Sequence, residues 1–385
     1  MVAIQTVKTE DKKRIEYIDV AKFIGISLMI FAHLRGQERE TAWIDAFHRP
    51  LFFFLSGRTV KIRKEEGFYG FLKRKIHSYV IPYFVLCLVS LFVTRITFCI
   101  QGNNQAISWP WVVNQRIQCL EERRYTSIWF VGALFTSELF FYGIVSLGKG
   151  KLWLSSIYAG IFLALAIVYN YFTPGFLIWS MDSAFFGTLF VFLGYVFSSK
   201  ELKKIHDALL WKRIPSFLIG SVGLAIVIFV QQLLLKYYNN AHLSRWGSNF
   251  SPYYIVLPLA LLGCLSIVRI SYGISNKIMG KIGQRTLIIL NFQQSIGIPV
   301  YRLMAKGWAA NIGPNQRWNF NWIRYTFVGT LFILALSIPI YYIFRFTPLC
   351  IVVLNKKLPY SIQWKKKKTE NPALFFRLQK KGLLR

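Results

Sequence analysis

Three ionisable residues share one face of the first apolar segment, YIDVAKFIGISLMIFAH. Asp19 and Lys22 are three residues apart, a spacing at which side chains on a helix can pair. Lys22 and His33 are eleven residues apart, so on a helix both look into the same groove, roughly 16 Å apart along the axis. Both residues also have a purely structural interpretation. Lys22 could extend to the lipid headgroups, and His33 could lie at the outer membrane interface. Because ionisable groups inside a membrane span are costly, the shared face favours a site.

A second histidine stands at the mouth of the next apolar segment, AFHRPLFFFLSG. His48 and Pro50 begin this segment, and Ser56 closes it. The short connection that returns from His33 is predicted to bring the two histidines to nearly the same depth. An imidazole changes its charge near neutral pH, which suits proton transfer.

Further polar residues interrupt later apolar segments. Glu138 lies in mid-segment and either pairs with a neighbouring helix or contacts a ligand. Asp182 lies near a segment end, where a helix cap is the alternative. Asn291, Gln293 and Gln294 are also typical of hydrogen bonds between membrane helices. Together these residues indicate a polar cavity inside a bundle.

Composition predicts an all-α, polytopic transmembrane bundle. Apolar residues make up 54% of the 385 residues and charged residues only 16%, below the roughly 25% typical of soluble domains. About ten apolar runs have the length of a span or part of one. These runs are 18–34, 46–57, 77–99, 127–147, 152–172, 175–198, 214–235, 252–271, 285–304 and 322–354.

Basic residues alternate along the chain with the period of membrane loops. The net charge is +31, but its clusters flank apolar runs, which disfavours a nucleic-acid partner. Positive clusters occur in the N-terminal arm, in the loop that holds Arg58, Arg63 and Arg74, before residue 214, and in the tail. By the positive-inside rule both termini are cytoplasmic. We divide the chain into a membrane domain, 1–354, and a basic cytoplasmic tail, 355–385, expected to touch anionic lipid headgroups.

The opening of the chain resembles the integral-membrane acyltransferase 3 family, in particular its fucose 4-O-acetylase-like sugar O-acetyltransferase branch. That family has a basic residue, ten intervening positions and a histidine, matched here by Lys22 and His33. Its next span opens with an FHMPLFFFLSG-like string, matched by residues 47–57. The chain departs from the pattern at Arg49, where methionine is common, at Arg58, and at 291–294, where the family often has a histidine.

The resemblance implies an enzyme that moves an acyl group, usually acetyl, from acyl-coenzyme A to a sugar hydroxyl. The catalytic residues are then expected to be His33, Lys22 and Asp19, with His33 as the general base and the Lys22–Asp19 pair nearer the donor. The phosphates of the donor rest on the basic loop. The residues assigned to substrate binding are His48, Ser56, Arg58, Arg63, Arg74, Glu138, Asp182, Asn291 and Gln293.

The expected donor substrate is acetyl-coenzyme A or another acyl-coenzyme A, such as succinyl-coenzyme A. No permanently bound cofactor and no metal site is predicted. The expected partners are a cell-surface or lipid-linked saccharide and membrane lipid, with a homo-oligomer left open, in the cytoplasmic (inner) membrane. A transporter or flippase of a lipid-linked saccharide is the alternative, although no inverted repeat is visible. A structural subunit of an export complex is a third interpretation.

Overall fold

The computed structural model describes residues 16–35, 41–63, 65–100, 110, 129–172, 177–198, 213–237, 253–307 and 320–354. Within these ranges every regular element is helical, and no strand occurs. The α-helices are α1 Glu16–Arg35, α2 Ala42–Asp45, α3 His48–Thr59, α4 Gly67–Lys75, α5 Ile81–Ile100, α6 Trp129–Leu147, α7 Leu152–Phe172, α8 Met181–Val196, α9 Arg213–Tyr237, α10 Tyr253–Gly273, α11 Lys277–Gly283, α12 Thr286–Phe292, α13 Ile298–Met304, α14 Phe320–Phe346 and α15 Leu349–Val352.

Seven helical stretches in the described part of the chain are long and apolar enough to cross a membrane. Runs of this kind form helices because lipid offers no partner to an open backbone N–H or C=O. The all-α, multi-pass prediction is therefore confirmed. The seven stretches are Glu16–Leu34, Gly67–Val93, Trp129–Leu147, Leu152–Tyr169, Arg213–Tyr237, Tyr253–Gly273 and Asn321–Phe346.

The remaining three predicted runs are short or broken helices. The run 46–57 forms α3, of 12 residues, and the run 175–198 contains α8, of 16 residues. The run 285–304 is divided into α12, a π-helical turn and α13. The count of about ten spans and the cytoplasmic side of the termini stay predictions. The N-terminal arm and the tail 355–385 lie outside the described residues.

Two π-helical turns, Ile76–Val80 and Gln293–Gly297, interrupt otherwise continuous helices. Each ends just before a helix that carries a proline in its first turn, Pro82 or Pro299. A proline in a continuous helix lacks the N–H and its ring clashes with the carbonyl one turn earlier, so a helix is distorted at such a position. Such single π-turns inside helices are frequent at functional sites. The first turn carries Tyr79, which donates a hydrogen bond to the buried Glu138. The second carries Gln293, which lines the cavity described below.

Helix α3 lies in the middle of the bundle, between α8, α10, α6 and α1. Its backbone approaches α8 through two glycines. A Cβ added at Gly57 would overlap the carbonyl oxygen of Val191, and a Cβ added at Gly194 would overlap that of Phe54. Small residues allow this close approach of membrane helices, which gains van der Waals contact where lipid gives no hydrophobic driving force. The approach fixes the position and rotation of α3.

We expect Gly194→Ala to lower the thermal unfolding temperature in detergent, because the overlap with the Phe54 carbonyl forces two helix backbones apart. Overpacking of this kind costs about 1–3 kcal/mol. Gly160→Ala on α7 is the matched control, since its added Cβ meets no atom within 4 Å. Equal unfolding temperatures for the two variants would contradict the close approach of α3 and α8.

Candidate active site

A cavity of about 100 Å³ lies where several helix ends converge. His33 comes from the last turns of α1, His48 and Arg49 from the start of α3, and Trp129 from the start of α6. One liquid water occupies about 30 Å³, so this space fits several waters or a small acyl group. The full lining is Ile26, Met29, His33, His48, Arg49, Phe52, Trp129, Phe130, Thr286, Leu290, Gln293 and Gln294.

Along α1 the cavity extends from Ile26 through Met29 to His33. These positions are three, four and seven residues apart, so they form one helical face about 10 Å long. On the facing side the wall comes from α12 and from the π-helical turn, through Leu290 and Gln293. The cavity therefore has a mostly apolar floor and a polar end near the two histidines.

His48 is buried, with 3% of its surface exposed. Its Nδ1 lies 2.9 Å from the carbonyl oxygen of Ile44 and 3.5 Å from Oδ1 of Asp45. Both neighbours are acceptors, so Nδ1 carries a proton in either charge state of the ring. In the neutral ring Nε2 is then the unprotonated nitrogen, available to accept a proton or hydrogen bond.

His33 lines the same cavity with a less constrained ring. Its Nδ1 is buried and has no hydrogen-bond partner among the described residues. The side chain of Gln293 is a hydrogen-bonding neighbour of the His33 ring, and the charges of Asp45 and Arg49 act on it. Leaving a buried nitrogen without a hydrogen bond costs free energy. A ligand that forms a hydrogen bond with Nδ1 of His33 would remove that cost. No cluster of three metal-ligating side chains occurs within the described ranges.

Asp45 contacts both polar residues at the start of α3, His48 and Arg49. It is 2% exposed and pairs with Nη2 of Arg49 at 3.3 Å as well as with His48. The residues predicted to form the site did not include this carboxylate. The signal was the spacing of Asp45, His48 and Arg49 by three and four residues, which places them together on a helix.

Aromatic rings build one wall of the cavity. The ring centroids of Phe52 and Phe130 are 5.8 Å apart, and those of Trp129 and Phe130 are 6.0 Å apart. Both pairs are edge-on, the arrangement that aromatic quadrupoles favour. The wall therefore presents fixed, flat apolar surface beside the histidines.

Asp19 and Lys22 do pair, with Nζ of Lys22 3.8 Å from Oδ1 of Asp19. Asp19 is buried, and its Oδ2 also accepts a hydrogen bond of 3.1 Å from Gln284. Lys22 lies one helical turn below Ile26 on the same face of α1. Neither Asp19 nor Lys22 lines the cavity, so the ion pair lies beyond the end of the cavity at which Ile26 stands.

Glu138 is the centre of a second, fully internal polar cluster. It is 0% exposed and forms an ion pair with Lys75, which is 7% exposed. Ser56 and Tyr79 both donate hydrogen bonds to Oε1 of Glu138. Ser56 and Glu138 were predicted to bind substrate; in the structure they bind protein groups and do not line the cavity.

Two other predicted binding residues are also buried in the helix packing. Asn291 accepts a hydrogen bond of 2.7 Å from Ser90 and donates one of 3.4 Å to the Leu86 carbonyl. It thus links α12 to α5, as expected for an amide between membrane helices. Asp182 is 2% exposed and is the second residue of α8, where a carboxylate is favoured by the helix dipole. Neither residue lines the cavity.

The three predicted phosphate-binding arginines differ in their surroundings. Arg58 donates a hydrogen bond of 3.0 Å to the Tyr17 hydroxyl. Arg74 donates two bonds of 2.8 Å to Glu66, and these bonds lower the pKa of the Glu66 carboxyl. Of these three arginines, Arg63 is the one that is exposed to solvent.

A family model described as an acyltransferase domain matches residues 15–342. The match begins one residue before α1 and ends within α14, so it includes every residue that lines the cavity. No curated protein and no solved structure matches the chain significantly.

We expect Lys75→Met to destabilise the protein strongly, because it leaves the Glu138 carboxylate buried without its cation. Breaking a buried pair in this way costs about 3–5 kcal/mol, whereas replacing both partners by apolar groups is often neutral. Thermal unfolding of Lys75→Met, Glu138→Leu and the double variant in detergent measures this coupling. Glu66→Gln is the control, because the Glu66–Arg74 pair is partly exposed to solvent, and ion pairs that water reaches contribute less than fully buried ones, about 0–1 kcal/mol at the surface. A double variant as unstable as the sum of both singles would contradict the pairing.

Proposed function

Because the chain belongs to the acyltransferase domain family that matches it, we propose that it transfers an acyl group, most commonly acetyl, from acyl-coenzyme A to a hydroxyl of a cell-surface or lipid-linked saccharide. The proposed location is the cytoplasmic (inner) membrane. The observation that carries the proposal is the pair of histidines, His33 and His48, in one cavity inside the region matched to the family. Acyl transfer needs a group that removes the hydroxyl proton, and imidazole suits that task near neutral pH.

In the proposed reaction His33 is the general base. The acceptor oxygen attacks the thioester carbonyl carbon, and the hydroxyl proton passes to the imidazole of His33. The carbon–sulfur bond then breaks, the new ester bond remains, and the imidazolium returns its proton to the thiolate of coenzyme A. No further reactant is required, so the proton and the electron pairs balance within the two substrates and one side chain.

His48 supports this step as an acceptor-binding group. Its Nδ1 proton is held by the Ile44 carbonyl and Asp45, which leaves Nε2 to accept a hydrogen bond from a substrate hydroxyl. The aromatic wall at Phe52 and Trp129 supplies apolar surface for the carbon face of a sugar ring. Gln293 adds an amide with both donor and acceptor capacity.

The donor is proposed to approach along the face of α1. Its pantetheine arm would run from Lys22 toward His33, a distance of about 16 Å by the helical rise. Its phosphates would contact the basic loop, where the exposed Arg63 provides a planar cation suited to phosphate.

His33→Ala is expected to lower kcat for acyl transfer by about 10²- to 10⁴-fold, the usual contribution of a positioned general base. The measurement is radiolabelled acetyl transfer by purified protein in nanodiscs. His77→Ala is the control, because His77 is exposed and lies outside the cavity. Full activity of a folded His33→Ala protein would remove His33 from the mechanism.

Arg63→Gln is expected to weaken acyl-coenzyme A binding by about fivefold, because an exposed charge pair contributes up to roughly 1 kcal/mol. The effect should shrink at high salt, where exposed charges are screened. Isothermal titration with coenzyme A measures it, and Lys236→Gln, an exposed cation at the end of α9, is the control. Equal affinities in both variants would leave Arg63 as a topology signal only.

A further inference from the structure

Two buried polar atoms in the cavity wall lack hydrogen-bond partners within the described part of the chain. They are Nδ1 of His33 and Oε1 of Gln293, and both side chains line the cavity. Gln293 is 1% exposed, so solvent outside the bundle does not hydrate its amide. Because a buried polar atom without a partner costs free energy, two such atoms in one wall indicate the contacts of a ligand.

The two atoms belong to neighbouring side chains. Gln293 begins the π-helical turn Gln293–Gly297 and lies beside the His33 ring. Its Nε2 is 3.9 Å from Sδ of Met29, a thioether that is only a weak acceptor. Nε2 therefore has a contact on α1, whereas Oε1 is the end of the amide without one. A ligand that satisfies both His33 and Gln293 must carry two polar groups close together.

The chemistry of the two atoms defines what the ligand must offer. An amide oxygen only accepts hydrogen bonds, so the ligand group at Gln293 must be a donor. The nitrogen of a neutral imidazole that acts as a base is also an acceptor, so the ligand group at His33 must be a donor too. Two hydroxyls on adjoining carbons of one ring supply two donors at the required proximity.

We propose that the acceptor substrate is a vicinal diol, whose reacting hydroxyl contacts Nδ1 of His33 while the hydroxyl on the adjoining carbon donates a hydrogen bond to Oε1 of Gln293. This inference rests on the proposed acyl-transfer function, whose acceptor class it specifies. The reacting hydroxyl gives its proton to His33 as its oxygen attacks the thioester carbon, and the second hydroxyl keeps its proton. A substrate without the second hydroxyl leaves Oε1 unpaired, and sites built to bind a hydroxyl strongly reject such analogues.

The test compares acetyl transfer from acetyl-coenzyme A to small acceptors by purified protein in nanodiscs. The acceptors are cis- and trans-cyclohexane-1,2-diol, cyclohexane-1,3-diol and cyclohexanol. For wild-type protein, kcat/KM per hydroxyl is expected to be about 10- to 100-fold higher with one of the 1,2-diols than with the other two compounds, the usual effect of one hydrogen bond to a buried acceptor. The 1,3-diol has the same number of hydroxyls as the 1,2-diols, so it isolates the effect of their spacing.

Gln293→Met removes the acceptor oxygen at similar side-chain length and should abolish the preference for the 1,2-diol. Gln231→Met is the matched control, because Gln231 on α9 is also buried, its amide atoms also lack partners among the described residues, and it does not line the cavity. This control should keep the wild-type preference. Both variants should unfold at or above the wild-type temperature in detergent, since each removes a buried polar group that has an unpaired atom.

A preference that is absent in wild-type protein, or unchanged in folded Gln293→Met, overturns the proposal. An equal loss of activity with every acceptor in Gln293→Met also overturns it, because that result assigns Gln293 to holding the His33 ring. Failure of every acceptor to react counts against acyl transfer itself, and binding then decides the inference. In that case a 1,2-diol should raise the unfolding temperature of wild-type protein more than the 1,3-diol does, and the absence of this difference, or the same difference in Gln293→Met, would overturn diol binding.

Discussion

The buried ion pair between Lys75 and Glu138 is the constraint on which the arrangement of the site depends. A charge inside a membrane protein is stable only if its partner and its hydrogen bonds are all in place. Glu138 meets this condition by collecting Lys75 from α4, Tyr79 from the π-helical turn and Ser56 from α3. One carboxylate on α6 therefore fixes three other elements relative to its own helix.

The ion pair also fixes the position of the cavity residues, because α3 and α6 contribute both to the Glu138 cluster and to the cavity wall. The same helix that carries Ser56 at one end carries His48 at the other, and α6 presents Trp129 where the cavity begins. Close glycine contacts with α8 lock α3 from the opposite side. The residues of the site thus lie on short or interrupted helices, and the packing of neighbouring helices fixes their positions. This packing keeps the two histidine rings and the aromatic wall at fixed separations.

Much of this architecture was predictable from apolar runs alone. Run 152–172 coincides with α7, and Lys22 with Asp19 pairs as its spacing indicated. The two histidines also meet in one cavity. The π-helical turns were not visible, since local sequence does not reveal where packing inserts a residue into a helix. The pairing of Lys75 with Glu138 could not be predicted, because Glu138 lies far away in sequence and is brought close only by tertiary packing.

The most direct test of the account is an experimental structure of the protein with a non-reactive acyl-coenzyme A analogue. We expect the carbonyl carbon of the analogue to lie in the cavity between His33 and His48, with its pantetheine arm along α1. A reactive carbon bound outside this cavity, with both histidine rings remote from it, would contradict the assignment of the active site.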